Sequence, residues 1–244
     1  MTLLILGGTV EGRDLAEKLS GLKGARVSLA GATTKPAPLA LPVRRGGFGS
    51  AEGFADYLKT EKITAVIDAT HPFAVRISAR SRAVCDRVSV AYRQILRPSW
   101  QPDAEDNWRL VPDDAAAIAT IPNAARVFLA IGRQRIDAFA GLQAQQVVIR
   151  MIDPPKEPLP IPKAKLVLGL PARTWQEEAQ LFEREGIEWV VTKNSGGEAG
   201  RAKLLAARRL GLIVVMIDRP APPGDRVFES VNEALTWLNQ GSPA

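Results

Sequence analysis

The chain has 244 residues, with 32 basic against 26 acidic side chains and a formal net charge of +6. That length makes one large domain or two small ones, and the single cysteine (Cys85) and single histidine (His71) exclude an internal disulfide and argue against a metal site. The basic excess suits an acidic ligand. With no run of five basic residues and no apolar stretch of membrane-spanning length, neither nucleic acid nor a membrane is an expected partner, and the compartment expected is the cytoplasm.

Leu3-Leu4-Ile5-Leu6 is a continuous apolar run. Gly7-Gly8-Thr9-Val10-Glu11-Gly12-Arg13 follows at once, and Leu15, Ala16 and Leu19 recur at helical spacing. A buried strand, a glycine-rich turn and an amphipathic helix make a dinucleotide-binding βα unit. Gly7 is expected to take the angles of the tight turn, and Gly12 to let helix and strand approach. Thr9 stands where the motif has its middle glycine, and its hydroxyl is expected to face a phosphate at the helix N terminus. A tight turn of some other α/β protein is the competing reading.

Residues 26–30 read as a second strand that ends at Gly31-Ala32-Thr33-Thr34-Lys35. No carboxylate stands at Ala30 or Gly31 to hold a ribose 2′-hydroxyl, whereas Lys35, Arg44 and Arg45 are near in sequence. That pattern favours NADPH, although each base singly also reads as surface charge. Residues 41–44 form a short strand ending at Gly46-Gly47, and a helix carries Phe54 and Leu58. Residues 64–69 form a buried strand with Thr70-His71-Pro72-Phe73 at its carboxyl end, the ligand edge of an open α/β sheet. His71 is therefore a candidate donor to substrate or cofactor, with capping of the next helix, or packing under the loop, as the alternative. Pro72 is expected in the first turn of that helix, in which Cys85 reads as a small core residue. Residues 89–93 complete a five-strand parallel unit.

Pro98 to Asp103 reads as a linker. A second βα series follows, with strands at 108–111, 126–130, 146–150, 165–168, 188–191 and 212–217, and a proline-rich loop from Asp153 to Pro162 beside a cleft. Thr192-Lys193-Asn194-Ser195-Gly196-Gly197 is a second polar, glycine-rich turn. Its backbone N–H groups, with Lys193 and Ser195, make an anion site like the first; a plain strand-to-helix connection is the alternative. Pro222-Pro223-Gly224 is a stiff linker before a last short strand and a helix over 231–238. The expected architecture is α/β: two Rossmann-like parallel-sheet lobes, 1–98 for NADPH and 99–244 for substrate, with a cleft between them.

These stretches together resemble the precorrin-6A reductases of cobalamin biosynthesis. The resemblance rests on Leu6-Gly7-Gly8-Thr9 with Glu11 and Arg13, on Asp68-Ala69-Thr70-His71-Pro72-Phe73-Ala74, on Ile131-Gly132-Arg133 and on Val191 to Gly197. Val10 stands where the family often has glycine. The resemblance implies an NADPH-dependent oxidoreductase that saturates one double bond of the precorrin-6A macrocycle, a tetrapyrrole with many carboxylates, to give precorrin-6B. The cofactor residues expected are Gly7, Gly8, Thr9, Glu11, Gly12, Arg13, Gly31, Ala32, Thr33, Arg44, Arg45, Thr70 and His71. For the substrate they are Arg133, Lys193, Asn194, Ser195, Gly196, Gly197 and Arg219. His71, Lys193 or a water is left to supply the proton, and a monomer suffices. The rivals are a non-catalytic NADPH sensor and a reductase of another polycarboxylate. A short-chain dehydrogenase lacks its tyrosine–lysine pair here, because Tyr57 meets Glu61 and Tyr92 meets Leu96 at that spacing.

Overall fold

The computed structural model describes residues 1–31, 37–221 and 226–241. The chain forms two compact units, one of Met1–Pro98 with Pro220–Ala244 and one of Ser99–Arg219. It begins with β1 (Leu3–Leu6), α1 (Val10–Lys18), β2 (Ala25–Leu29), β3 (Val43–Arg45), α2 (Ala51–Thr60), β4 (Ala65–Asp68), α3 (Val75–Arg87) and β5 (Ala91–Ile95). The second unit then builds β6 (Trp108–Val111), α4 (Asp114–Thr120) and β7 (Arg126–Ala130). A 3-10 helix (Arg133–Phe139), β8 (Gln146–Met151), β9 (Lys165–Leu168), α5 (Trp175–Arg184), β10 (Trp189–Lys193), α6 (Ala202–Arg209) and β11 (Ile213–Ile217) complete it. The chain returns to the first unit for β12 (Val227–Phe228) and α7 (Val231–Asn239).

Each unit is one six-stranded sheet, ordered β12-β5-β4-β1-β2-β3 in the first and β6-β11-β10-β7-β8-β9 in the second. Every strand pair is parallel. A parallel sheet covered on both faces needs strands apolar on both sides, which is why β1 is a continuous apolar run with all four residues buried. Leu3 and Ile5 enter one core with Leu15, Val27 and Trp237, while Leu4 and Leu6 enter the other with Phe54, Leu58 and Tyr92. Cys85 is fully buried there, and burial pushes its thiol up to about 12.

Four sequence expectations change. The second unit does not run to the C terminus. β12 pairs with β5 through Val227↔Gln94 and Phe228↔Ile95, and α7 buries Ala234, Trp237 and Leu238 in the core of the first unit. The first sheet therefore has six strands rather than five, because the edge of β5 is covered by a strand from far along the chain. The stretch from Pro98 is not all linker, since Trp100 belongs to the core of the second unit with Phe128 and Phe182. Pro72 lies in a turn ahead of α3, which starts at Val75 with Ala74 as its cap. Residues 153–162 are irregular, as expected. Among the described residues no helix is long and apolar enough to cross a membrane, and no group of three metal-ligating side chains occurs. Ala32, Thr33, Thr34, Lys35 and the Pro222-Pro223-Gly224 stretch lie outside the described residues.

Candidate functional site

The order of each sheet reverses at one place, and a ligand crevice forms at such a switch point beyond the carboxyl ends of the strands. In the first unit this lies between β1 and β4, where Leu6 pairs with Asp68. The Gly7-Gly8-Thr9 turn follows one strand and Thr70-His71 the other. The left-handed backbone falls on Gly8 (φ +139°), not on Gly7. A Cβ on Gly7 would lie 2.8 Å from Val27 Cγ1, so that glycine lets β2 pack closely. A Cβ on Gly8 would meet nothing within 4 Å, and Gly8 borders open space at the start of α1. Gly12 acts as expected: a Cβ there would stand 3.2 Å from that of Ala69.

Thr9 caps α1, accepting from the Gly12 N–H at 3.2 Å, and its hydroxyl donates to the Ala69 carbonyl at 2.8 Å. Its only proton is thus committed within the protein, which corrects the expectation of a hydroxyl offered to phosphate. Glu11 is held by Arg97 at 2.6 Å, with both side chains largely buried. The pair neutralises a carboxylate that would otherwise repel an anion at the helix N terminus. Arg13 donates to the Pro38 carbonyl at 2.8 Å. The Arg44 guanidinium lies 4.0 Å from the centre of the Phe48 ring and donates to the carbonyls of Gly46 and Gly47, so it braces its own turn. Arg45 is exposed at the end of β3, and Gly31 is exposed with φ +80°.

Asp68 is fully buried. Its carboxylate accepts from the Thr70 N–H and from the Tyr92 hydroxyl, each at 2.9 Å. Burial, with the Asp68 charge second, pushes the Tyr92 phenol far above its ordinary value and keeps it protonated. His71 Nδ1 accepts from the Phe73 N–H at 3.2 Å, which places the proton of a neutral ring on Nε2. His71 does not cap α3 with its side chain.

The switch point of the second unit lies between β7 and β10, where Ala130 pairs with Thr192. Gly132 (φ +77°) stands two residues past β7, as Gly8 stands two past β1. By topology Gly132, rather than the Lys193 turn, is the counterpart of the first glycine turn, and the Lys193 stretch corresponds to Thr70-His71. Lys193 Nζ would be 4.0 Å from a Cβ on Gly132, so two stretches distant in sequence meet here. Burial lowers the Lys193 ammonium to about 8, with Arg135 adding to the fall and Asp114 opposing it. Asp114 is itself held by Arg135 at 2.8 and 2.5 Å. Arg133, Lys193 and Arg219 stand at or just beyond the carboxyl ends of the adjacent strands β7, β10 and β11.

The remaining substrate candidates divide. Asn194 is turned inward, with its side-chain amide bonded to the Trp100 backbone. Ser195 N–H donates to the Lys193 carbonyl at 2.7 Å, and Gly196 and Gly197 are both left-handed, with φ +66° and +75°. The helix does not begin at this turn, because α6 starts at Ala202. Arg97, Trp100, Asp114 and Arg135 were not singled out by sequence, since each gains its role from a partner distant in the chain. Shallow depressions lined by Pro122, Trp189 and Leu212, and by Leu58, Ile63 and Val90, open at the amino edges of the two sheets and take no part in either switch point.

The model of the family described as precorrin-6x reductase CbiJ/CobK matches residues 2–239. A precorrin-6A reductase of Rhodobacter capsulatus is 44% identical over 238 residues, covering 97% of this chain and 95% of that protein. A cobalt-precorrin-6A reductase of Synechocystis is 27% identical over 263 residues, covering 98% and 95%. The solved structure described as CobK precorrin-6A reductase is 45% identical, covers 98% of this chain and 97% of that one, and superposes with a TM-score of 0.93.

Proposed function

Because the chain belongs to the precorrin-6x reductase (CbiJ/CobK) family, we propose that it reduces one double bond of precorrin-6A to give precorrin-6B in cobalamin biosynthesis, with NADPH as reductant. The relative named for the metal-free substrate is far more similar than the one named for the cobalt form, which supports the metal-free macrocycle. The observation that carries the cofactor reading is Gly8. It borders open space at the N terminus of α1, beside the switch point, in a conformation that suits glycine. The pyrophosphate of a dinucleotide fits a cradle of backbone N–H groups that no side chain fills. Among the expected cofactor residues Gly7 and Gly12 shape this turn by close packing, and Thr9 by capping. Glu11 is neutral toward an anion through Arg97, and Arg13 braces the loop at Pro38. The finer preference for NADPH rests on the missing acid at Ala30 and Gly31 and on Arg45, exposed at the end of β3.

When bound, the nicotinamide supplies the two electrons. The protein's own part is to place the macrocycle and to manage a proton. Lys193, Arg133 and Arg219 are cations at the ends of adjacent strands and suit the substrate's carboxylates. His71 Nε2–H and the Lys193 ammonium are the candidate proton sources, each beside a switch point: the Phe73 N–H donates to His71 Nδ1, and Lys193 Nζ lies next to Gly132. Purified protein mixed with NADPH and precorrin-6A should consume reduced nicotinamide in step with substrate, and NADH should support a much lower kcat/KM. Binding of NADPH with no turnover would sink the reductase reading in favour of a sensor, and equal use of NADH would sink the argument from strand two.

A further inference from the structure

The turn that presents Lys193 is bonded to Trp100 through the side chain of Asn194. Asn194 is 7% exposed. Its Oδ1 accepts from the Trp100 backbone N–H at 2.8 Å, and its Nδ2 donates to the Trp100 carbonyl at 3.1 Å. The Trp100 indole N–H in turn donates to the Gly197 carbonyl at 2.8 Å. The same ring lies 5.0 Å from Lys203 Nζ, which donates to the Gly200 carbonyl at 2.7 Å. Backbone from 194 to 200 is thereby tied at three points to Trp100 and its neighbour.

We propose that Asn194 is a positioning residue, which fixes the Lys193–Gly197 turn through Trp100 and makes no contact with substrate. The inference rests on the reading that this turn holds the tetrapyrrole. The physical need is clear from the turn itself. Two successive left-handed glycines make a permissive backbone, and a lysine is a point charge on a flexible stem. Such a cation is useful for orientation only if the backbone that carries it is held. A shorter side chain at 194 would also leave the buried N–H and C=O of Trp100 without their partners.

The test compares Asn194→Ala, Trp100→Phe and Lys193→Ala in the full chain. Trp100→Phe keeps an aromatic ring under the turn and loses the indole N–H bonded to Gly197. Asn194→Ala and Trp100→Phe should each raise the KM for precorrin-6A by roughly tenfold, the effect of about one good hydrogen bond. The Kd for NADPH should stay within about twofold of the parent. The double variant should be little worse than the poorer single one, because both loosen the same turn. A raised KM in Asn194→Ala alone, with Trp100→Phe like the parent, overturns the proposal and assigns Asn194 a direct contact. A lowered melting temperature with parental KM in both variants also overturns it, since the clamp then serves the fold only. A parental KM in Lys193→Ala instead removes the substrate reading of the turn, which separates that failure from this one. If Asn194→Ala does not fold, Asn194→Ser takes its place beside Trp100→Phe and is read by the same outcomes.

Discussion

At the scale of single residues, Lys193 carries the sharpest expectation. Its ammonium is lowered by burial to about 8, and it is faced by Asp114 from α4, Arg135 from the 3-10 helix and Lys203 from α6. As pH rises through about 8 the charge that attracts a carboxylate is lost, so the KM for precorrin-6A should climb on the alkaline side while NADPH affinity shows no matching limb. Lys193→Arg, always charged, should flatten that limb. The effect on stability has the opposite sign. The unfolded lysine keeps its proton up to about 10.5, so the folded state is penalised below about 8 and gains stability as pH rises from there toward 10.5. An alkaline KM that is flat in the parent would refute the role given to this ammonium. Lysine, glycine and histidine at strand ends were legible because their place in the sheet is written in the local pattern. Arg97, Asp114 and Trp100 were not, because Glu11, Arg135 and Asn194 are their partners only once the chain has folded.

At the scale of elements, one hydroxyl ties the start of α1 to the end of β4. Thr9 Oγ1 accepts from Gly12 N–H and donates to the Ala69 carbonyl, and so joins the two sides of the switch point. Removing it costs a helix cap and leaves a buried carbonyl short of a donor. Thr9→Val should therefore destabilise the first unit by about 1–3 kcal/mol. Thr9→Ser retains the hydroxyl and should recover most of that. Urea unfolding followed alongside NADPH binding checks it; equal stability of the Val and Ser variants would count against the cap. Strands of a parallel sheet were readable because both faces are buried, and a run such as 213–217 can be little else. β12 was visible as a short apolar pair, but its two residues say nothing about which sheet they join.

At the scale of the whole molecule, the order 3-2-1-4-5-6 is built twice, and each sixth strand comes from outside the run of the other five. β6 precedes the rest of its sheet, and β12 arrives only after the whole second unit has been made. The second unit is thus continuous in sequence, whereas the first is completed by the last segment of the chain. That asymmetry decides which fragment folds. Val231, Ala234, Trp237 and Leu238 of α7 are buried against Leu3, Ile5 and Leu15. At roughly 1.5–3 kcal/mol for each large apolar side chain, their burial approaches the 5–15 kcal/mol that stabilises an ordinary domain. Residues 1–98 alone should therefore fail to show a cooperative unfolding transition or to bind NADPH, although the glycine turn is present in full. Residues 99–219 alone should unfold cooperatively, because every strand of their sheet lies within them. Adding a separate peptide of residues 220–244 to 1–98 should restore some NADPH binding at high concentration, as mass action requires for a segment bound only by the folded form. A 1–98 fragment that folds and binds without the peptide would mean that α7 covers a core able to stand without it.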